Sequence, residues 1–362
     1  MKKLFSLVFA VLLICSLCSC GSISSDGHTD SHMVNNETNI YNDGEFYYDS
    51  YTRLNYCDFT AMQSTIVCPY PNCTHTDSST CSSYGLSCYP TVFGGKMYYF
   101  SDDIKYTNGT YTETITAYRC DIDGTNRIAL ETFTGWEIAD YNPALVVENK
   151  IYMTAKQTTF NDYGTTEDYV SVSLISYDFE TGKFNEVVKV GEGYNAGASI
   201  KGEANGIVYI SYSYYDHELS DEELDALYNE YVFPESVLEY YKFDLSTGEL
   251  SENDEAVWKA LDGYLIVYND DLTEAIIRTP NGEEYDIGNK VALQVCNDYA
   301  FHLYYGLIID LKTGNHYESK LPLESHYNVE YYLDGCYILR DSVSNEFIKL
   351  EEDELIGKEI TS

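Results

Sequence analysis

The chain has 362 residues, 59 of them acidic against 21 basic, for a formal charge of −38 at neutral pH. That balance excludes nucleic acid as a partner, because phosphate binding rewards clustered Lys and Arg, and it excludes adhesion of the folded body to anionic headgroups. It favours solubility, cationic partners and divalent cations, while 38 tyrosines, 2 tryptophans and 7 prolines predict an all-β protein.

The first element is a leader. Lys2 and Lys3 form a charged start, and Leu4 to Ile14 is apolar apart from Ser6. The run is shorter than the roughly 20 residues of a spanning helix and reads as a secretory signal. Leu17-Cys18-Ser19-Cys20 then resembles the lipobox of bacterial lipoproteins: an aliphatic residue, two small ones and the modified cysteine. The resemblance implies removal of residues 1–19, acylation of Cys20 (palmitate included) and a place on the outer face of the cytoplasmic membrane. Contact with the membrane would be through the lipid alone. Residues 20–42 are polar and read as a flexible tether.

From Asp43 a pattern recurs. A turn pair precedes a β-rich apolar run at Asp43-Gly44, Gly94-Gly95, Glu148-Asn149, Asn205-Gly206, Asp262-Gly263 and Asp334-Gly335, with a weaker copy at Asn297-Asp298. A second signal trails most of these, as in Tyr177-Asp178-Phe179-Glu180-Thr181-Gly182, Tyr241 to Gly248 and Ile309 to Gly314. Its glycines supply the positive φ of a tight hairpin. The openings lie about 35–57 residues apart, the spacing of four-stranded propeller blades. The expectation is a β-propeller of six to seven irregular four-stranded blades over residues 43–350, residues 43–93 being a Cys-rich first unit. The recurring unit resembles the propellers of bacterial lipoproteins of the TolB-like or DUF5050-like kind. The competing architecture is an array of two-sheet sandwiches.

One segment breaks the β pattern. Ser220-Asp221-Glu222-Glu223 is a capping box, followed by Leu224, Leu227 and Tyr228 at helical spacing and by Pro234. It predicts a short helical insertion near 221–231. Residues 351–362 read as an acidic C-terminal tail.

Eight cysteines follow Cys20, five of them within residues 57–88. Cys68, Cys73, His75 and Cys81 have the form C-x4-C-x-H-x5-C. Three sulfurs and an imidazole suit a tetrahedral site with zinc as the natural occupant, and Pro69 and Pro71 stiffen the loop. The same element resembles one in lipoproteins of anaerobic Firmicutes. The alternative is a disulfide staple drawing in Cys57 and Cys88, because an exported chain meets oxidising conditions. Cys296 and Cys336 lie on strand-like stretches. Asp121 to Asn126 reads as a hairpin turn rather than a calcium loop, since its glycine is misplaced for an EF-hand.

Catalytic motifs are missing. There is no Gly-rich phosphate loop, no His-Glu-x-x-His, no Gly-x-Ser-x-Gly, and only five arginines. No catalytic residue is assigned. The leading reading is a membrane-anchored, non-enzymatic propeller that binds or scaffolds a basic or neutral protein or peptide. The alternatives are an extracytoplasmic hydrolase or lyase with channel carboxylates, and a metal- or redox-responsive protein using the Cys-rich element.

Overall fold

The computed structural model describes residues 31–360, apart from 35–37, 50–51, 87, 108–109, 140–142, 158–168, 221–222, 224–234, 262, 270–272 and 289–293. The leader and Cys20 therefore lie outside the described residues, as does most of the 221–231 segment. Within that segment's start, the backbone N–H of Ser220 donates to Glu223 Oε2 at 2.8 Å and that of Glu223 to Ser220 Oγ at 3.3 Å, so the capping box is formed.

The described chain is built from consecutive antiparallel meanders. Blade 1 holds Thr38–Ile40, Gly44–Tyr48, Leu54–Asp58 and Gln63–Ile66. Blade 2 holds Cys88–Phe93, Lys96–Thr107, Thr110–Cys120 and Ile128–Thr134. Blade 3 runs through Ala144–Val147, Lys150–Gln157 and Tyr169–Asp178 into the long strand Lys183–Ala204. That strand crosses over to become the first strand of blade 4, ahead of Ile207–Tyr215, Val237–Asp244 and Glu249–Glu252. Blade 5 holds Ala256–Leu261, Tyr264–Tyr268, Ala275–Arg278 and Glu284–Gly288. Blade 6 holds Gln294–Cys296, Tyr299–His302, Leu307–Asp310 and His316–Ser319, and blade 7 holds Tyr327–Leu333, Cys336–Asp341 and Phe347–Glu351.

Apolar clusters between neighbours turn this series into a ring. Blades 1 and 2 share Phe46, Leu54, Met97 and Tyr99, and blades 2 and 3 share Phe100, Ile115, Ile151 and Tyr177. Comparable clusters join blades 3 to 4, 4 to 5, 5 to 6 and 6 to 7. The seventh cluster joins Tyr47, Cys57 and Phe59 of blade 1 to Ile338, Tyr331 and Phe347 of blade 7, which closes the circle. Each sheet thus buries both faces, which is why the strands carry apolar residues on both sides. The fold is a seven-bladed β-propeller; the count of six is set aside.

The recurring turn pairs mark the hairpin between the first and second strands of each blade. Asn205 and Gly206 have φ of 56° and 80°, and Asp334 and Gly335 have 53° and 82°, the left-handed pair of a type I′ turn. The trailing Asp signals mark the hairpin between the third and fourth strands. Asp178 Oδ1 accepts the N–H groups of Glu180 and Thr181 at 2.9 and 2.8 Å. Asp58, Asp244 and Asp310 repeat this on the second and third residues after themselves, and Asp341 makes the same turn between the second and third strands of blade 7.

Three boundaries differ from the sequence reading. A blade begins one strand before its turn pair, so blade 1 starts at Thr38 rather than Asp43. The tether contains that strand and also Ser31–Val34, which pairs antiparallel with Ala144–Val147 of blade 3. Residues 351–362 contain a helical turn, Glu352–Leu355, and a strand, Ile356–Glu359, paired with His316–Ser319 of blade 6. Leu355 is fully buried against blades 6 and 7, which anchors this acidic segment. Strands of three or four residues carry too little periodicity to be read in advance; backbone pairing to an existing edge makes them. Among the described residues no helix is long and apolar enough to cross a membrane.

Candidate metal centre

The residues between blades 1 and 2, from Val67 to Leu86, form a loop without regular structure. Its ends are apolar anchors: Val67 and Leu86 are buried in the cluster between the two blades. Backbone bonds fix it to blade 1, with Leu54 N–H donating to Ser83 O and Val67 N–H to Leu54 O, both at 2.9 Å. On the blade 2 side, Arg127 donates to the Ser82 carbonyl through Nη2 and to Gly124 O through Nε. Gly124, at φ 78°, packs so closely that a Cβ there would sit 2.4 Å from Ser82 O. The Asp121–Thr125 segment is a tight hairpin turn, as its sequence indicated, and it serves as the loop's seat.

Within this frame the four predicted ligands converge. Cys68, Cys73, His75 and Cys81 each offer one ligand atom, and all four atoms lie within 4.8 Å of one another. His75 Nδ1 is 3.4 Å from Cys81 Sγ. A tetrahedral zinc with sulfur and nitrogen ligands sets neighbouring donors roughly 3.3–3.8 Å apart, so the set needs only a small contraction. Cys81 is buried and the other three are half-buried.

The loop's own chemistry makes the convergence. A turn from Tyr70, with Pro71 inside it, closes with Cys73 N–H donating to the Tyr70 carbonyl at 3.0 Å. His75 takes a left-handed φ of 55°, which turns its ring back toward Cys81. Its carbonyl is held by Arg53 Nη1 and by the Tyr84 hydroxyl, each at 3.1 Å. Asp77 then starts a turn that ends at Cys81, whose N–H donates to Asp77 O at 3.1 Å.

The sulfurs already experience one another. For Cys68, partial burial opposes ionisation, but the N–H of Tyr70 and the hydroxyl and N–H of Ser82 outweigh it and hold the thiol below its ordinary value. For Cys73 the N–H of His75 favours the thiolate, while desolvation and the sulfurs of Cys81 and Cys68 overcome it and raise the thiol. A divalent cation would relieve that mutual repulsion.

All eight cysteines of the described residues are free. Cys57 lies buried where blade 1 meets blade 7, and Cys88 where blade 2 meets blade 3, so the structure places both outside the four-residue group. Burial pushes the thiols of Cys88 and Cys120 up to about 12, which makes them inert packing groups. Cys296 and Cys336 are half-buried on blades 6 and 7. The supporting residues Arg53, Ser82, Tyr84 and Arg127 had no signature in the ligand spacing, since they hold the loop through its backbone.

One carboxylate group stands apart. At the junction of blades 2 and 3, both oxygens of Asp102 accept the N–H of Ile138 at 3.1 Å. Burial raises Asp102 to about 7, and burial together with the neighbouring Glu113 raises Glu137 to about 7. The five turn-forming aspartates, by contrast, are spent on their own backbones.

No family model matches the chain, and no curated protein matches it. Among solved structures, an oligogalacturonate lyase in complex with manganese is 8% identical over 91% of this chain and 90% of its own, with a TM-score of 0.42. A Synechocystis apocarotenoid oxygenase mutant is 12% identical over 90% of this chain and 73% of its own, at 0.37. The β-propeller domain of the trilobed protease from Pyrococcus furiosus is 12% identical over 75% and 94%, at 0.31. Likenesses at this level transfer no activity, and the fold rests on the chain's own sheets and interfaces.

Proposed function

We propose that the protein is a lipid-anchored, extracytoplasmic β-propeller of the TolB-like bacterial lipoprotein kind that binds a basic or neutral protein or peptide, and whose first blade is clamped by a structural zinc. The convergence of Cys68, Cys73, His75 and Cys81 carries this reading. Four protein ligands leave no position for a water or substrate, and closed Cys3His sites are structural, whereas catalytic zinc keeps a position open. The loop is also long for one without secondary structure, and an ion supplies the order that a core too small to do so cannot. Anchoring through Cys20 rests on the lipobox-like leader, and the basic partner on the chain's charge of −38.

The test is the full chain purified anaerobically from its membrane fraction, with zinc and free thiols measured together. About one zinc per chain is expected, lost in Cys73→Ser. Oxidised thiols without metal would overturn the zinc clamp. In the same preparation Cys20→Ser moves the protein to the soluble fraction, and unchanged membrane association would overturn the lipid anchor.

A further inference from the structure

The net charge names a sign for the partner but not a place. On blade 4, Glu239 sits among three tyrosines. It lies opposite Tyr212 in the pairing of Ile207–Tyr215 with Val237–Asp244, and it accepts hydrogen bonds from Tyr214 at 3.2 Å and Tyr241 at 2.6 Å. Tyr212 and Tyr214 stack with centroids 5.2 Å apart, and Tyr241 meets Tyr212 edge-on at 6.4 Å.

This arrangement is built. Gly191 and Gly193 of the long crossover strand leave room for the rings: a Cβ at Gly191 would stand 2.5 Å from the Tyr212 ring, and one at Gly193 2.9 Å from Tyr214. Tyr212 is the buried floor, at 2% exposure, and its hydroxyl has no hydrogen-bond partner in the structure. Tyr214, Tyr241 and Glu239 remain half-open to solvent. Burial, then the charge of Glu239, raises the Tyr212 phenol, so it stays neutral and can donate.

The charge is unanswered. Among the described residues no Lys, Arg or His pairs with Glu239, or with Glu252, which lies opposite Tyr241 in the sheet. Lys242 of the same strand falls on the opposite face by alternation and its charge acts on Glu255, while Lys189 pairs with Glu192 and His217 with Asp216 and Glu223. A carboxylate beside tyrosine faces suits a guanidinium or ammonium, which takes an ion pair on one side and a cation–π contact on the other.

We propose that Glu239 with Tyr212, Tyr214 and Tyr241 is the docking point for a cationic side chain of the partner, an arginine or lysine in a basic peptide segment. This rests on the binding role proposed above and gives it a location.

The test titrates the full chain with a fluorescein-labelled arginine–glycine repeat peptide, read by anisotropy. Glu239→Gln weakens binding about tenfold, and Tyr214→Leu several-fold, as loss of an ion pair and of a cation–π face require. Glu249→Gln, an exposed acid on the same blade, and Trp258→Ala, an exposed aromatic on blade 5, leave it unchanged. Equal weakening by Glu239→Gln and Glu249→Gln would mean diffuse attraction and overturn the site. Tight binding unaffected by Glu239→Gln would overturn the site while sparing the cationic partner. An intact wild-type chain that ignores the peptide would overturn both.

Discussion

Between blades 3 and 4 a single strand, Lys183–Ala204, is the outer edge of one sheet and the inner edge of the next. Blade 1 shares no such strand with either neighbour, and its own strands are three to five residues long. The 3–4 junction is an apolar interface, with Val172, Leu174, Ile200, Val208 and Ile210 among its buried residues. The junction of blade 1 with blade 7 buries only Tyr47, Cys57, Phe59 and Ile338 outright. It adds ring contacts, Phe59 with Tyr331 at 5.7 Å and with Phe347 at 5.8 Å, and an ion pair from Arg340 to the buried Glu45 at 3.7 Å. On its other side blade 1 has the Cys–His loop. Where shared backbone and apolar area run short, the chain turns to aromatic pairs, a partly buried charge pair and a metal-ligand set.

Removal of the proposed zinc is the most severe test of the contrast between blade 1 and the 3–4 junction. Chelation under reducing conditions is expected to raise amide exchange across residues 38–86 by about tenfold or more, with blades 3 and 4 unchanged, because local opening draws on the least-buried unit first. Exchange rising equally in Lys150–Gln157 would show that the ring is one cooperative body and that the contrast is false.

Core truncation sharpens it. Phe59→Ala at the 7–1 junction and Leu174→Ala at the 3–4 junction each remove a fully buried side chain. The costs are about 3–5 and 2–5 kcal/mol respectively. They should differ in kind. Leu174→Ala shifts one global unfolding transition, whereas Phe59→Ala splits off an early phase seen by exchange in blade 1. Coincident transitions in both variants would erase the distinction.

The smallest effect concerns pH. Asp102 and Glu137 bind their protons more tightly when folded, both rising to about 7. The folded state therefore gains stability as pH falls from 8 toward 5, where the unfolded chain has not yet taken up those protons. The turn aspartates Asp178, Asp244 and Asp341 are shifted down, so what they contribute is lost only in more acidic solution. Melting temperature should thus rise on mild acidification and fall on strong acidification. Asp102→Asn should flatten the first limb, and an unaltered limb would remove these carboxylates from the account.

Much of this was legible in the residues. The turn pairs narrowed the blades to six or seven because type I′ and Asx-capped turns demand Asn, Asp and Gly at fixed places, and the interfaces between sheets made the count seven. The grouping of Cys68, Cys73, His75 and Cys81 was legible because the four are local in sequence. The edge strands Ser31–Val34 and Ile356–Glu359 were not, since they borrow their order from a partner far along the chain. The setting of Glu239 was hidden for the same reason. Its tyrosines stand on two strands, and the glycines that admit them are on a third.

The closure of the ring by side chains has a bearing on how the protein is made. Many circular architectures need one end of the chain to wait for the other, leaving a strand unpaired in the interim. Here, among the described residues, blades 1, 2 and 5 are each completed by one uninterrupted stretch. A chain emerging from its N-terminal end can finish these sheets in sequence, with little exposed edge for another copy to capture. Among the described residues Ser31–Val34 and Ile356–Glu359, each four residues long, pair out of turn, as do the three-residue Trp136–Ile138 with Lys150–Gln157 and the single pair Gly202 with Ala260.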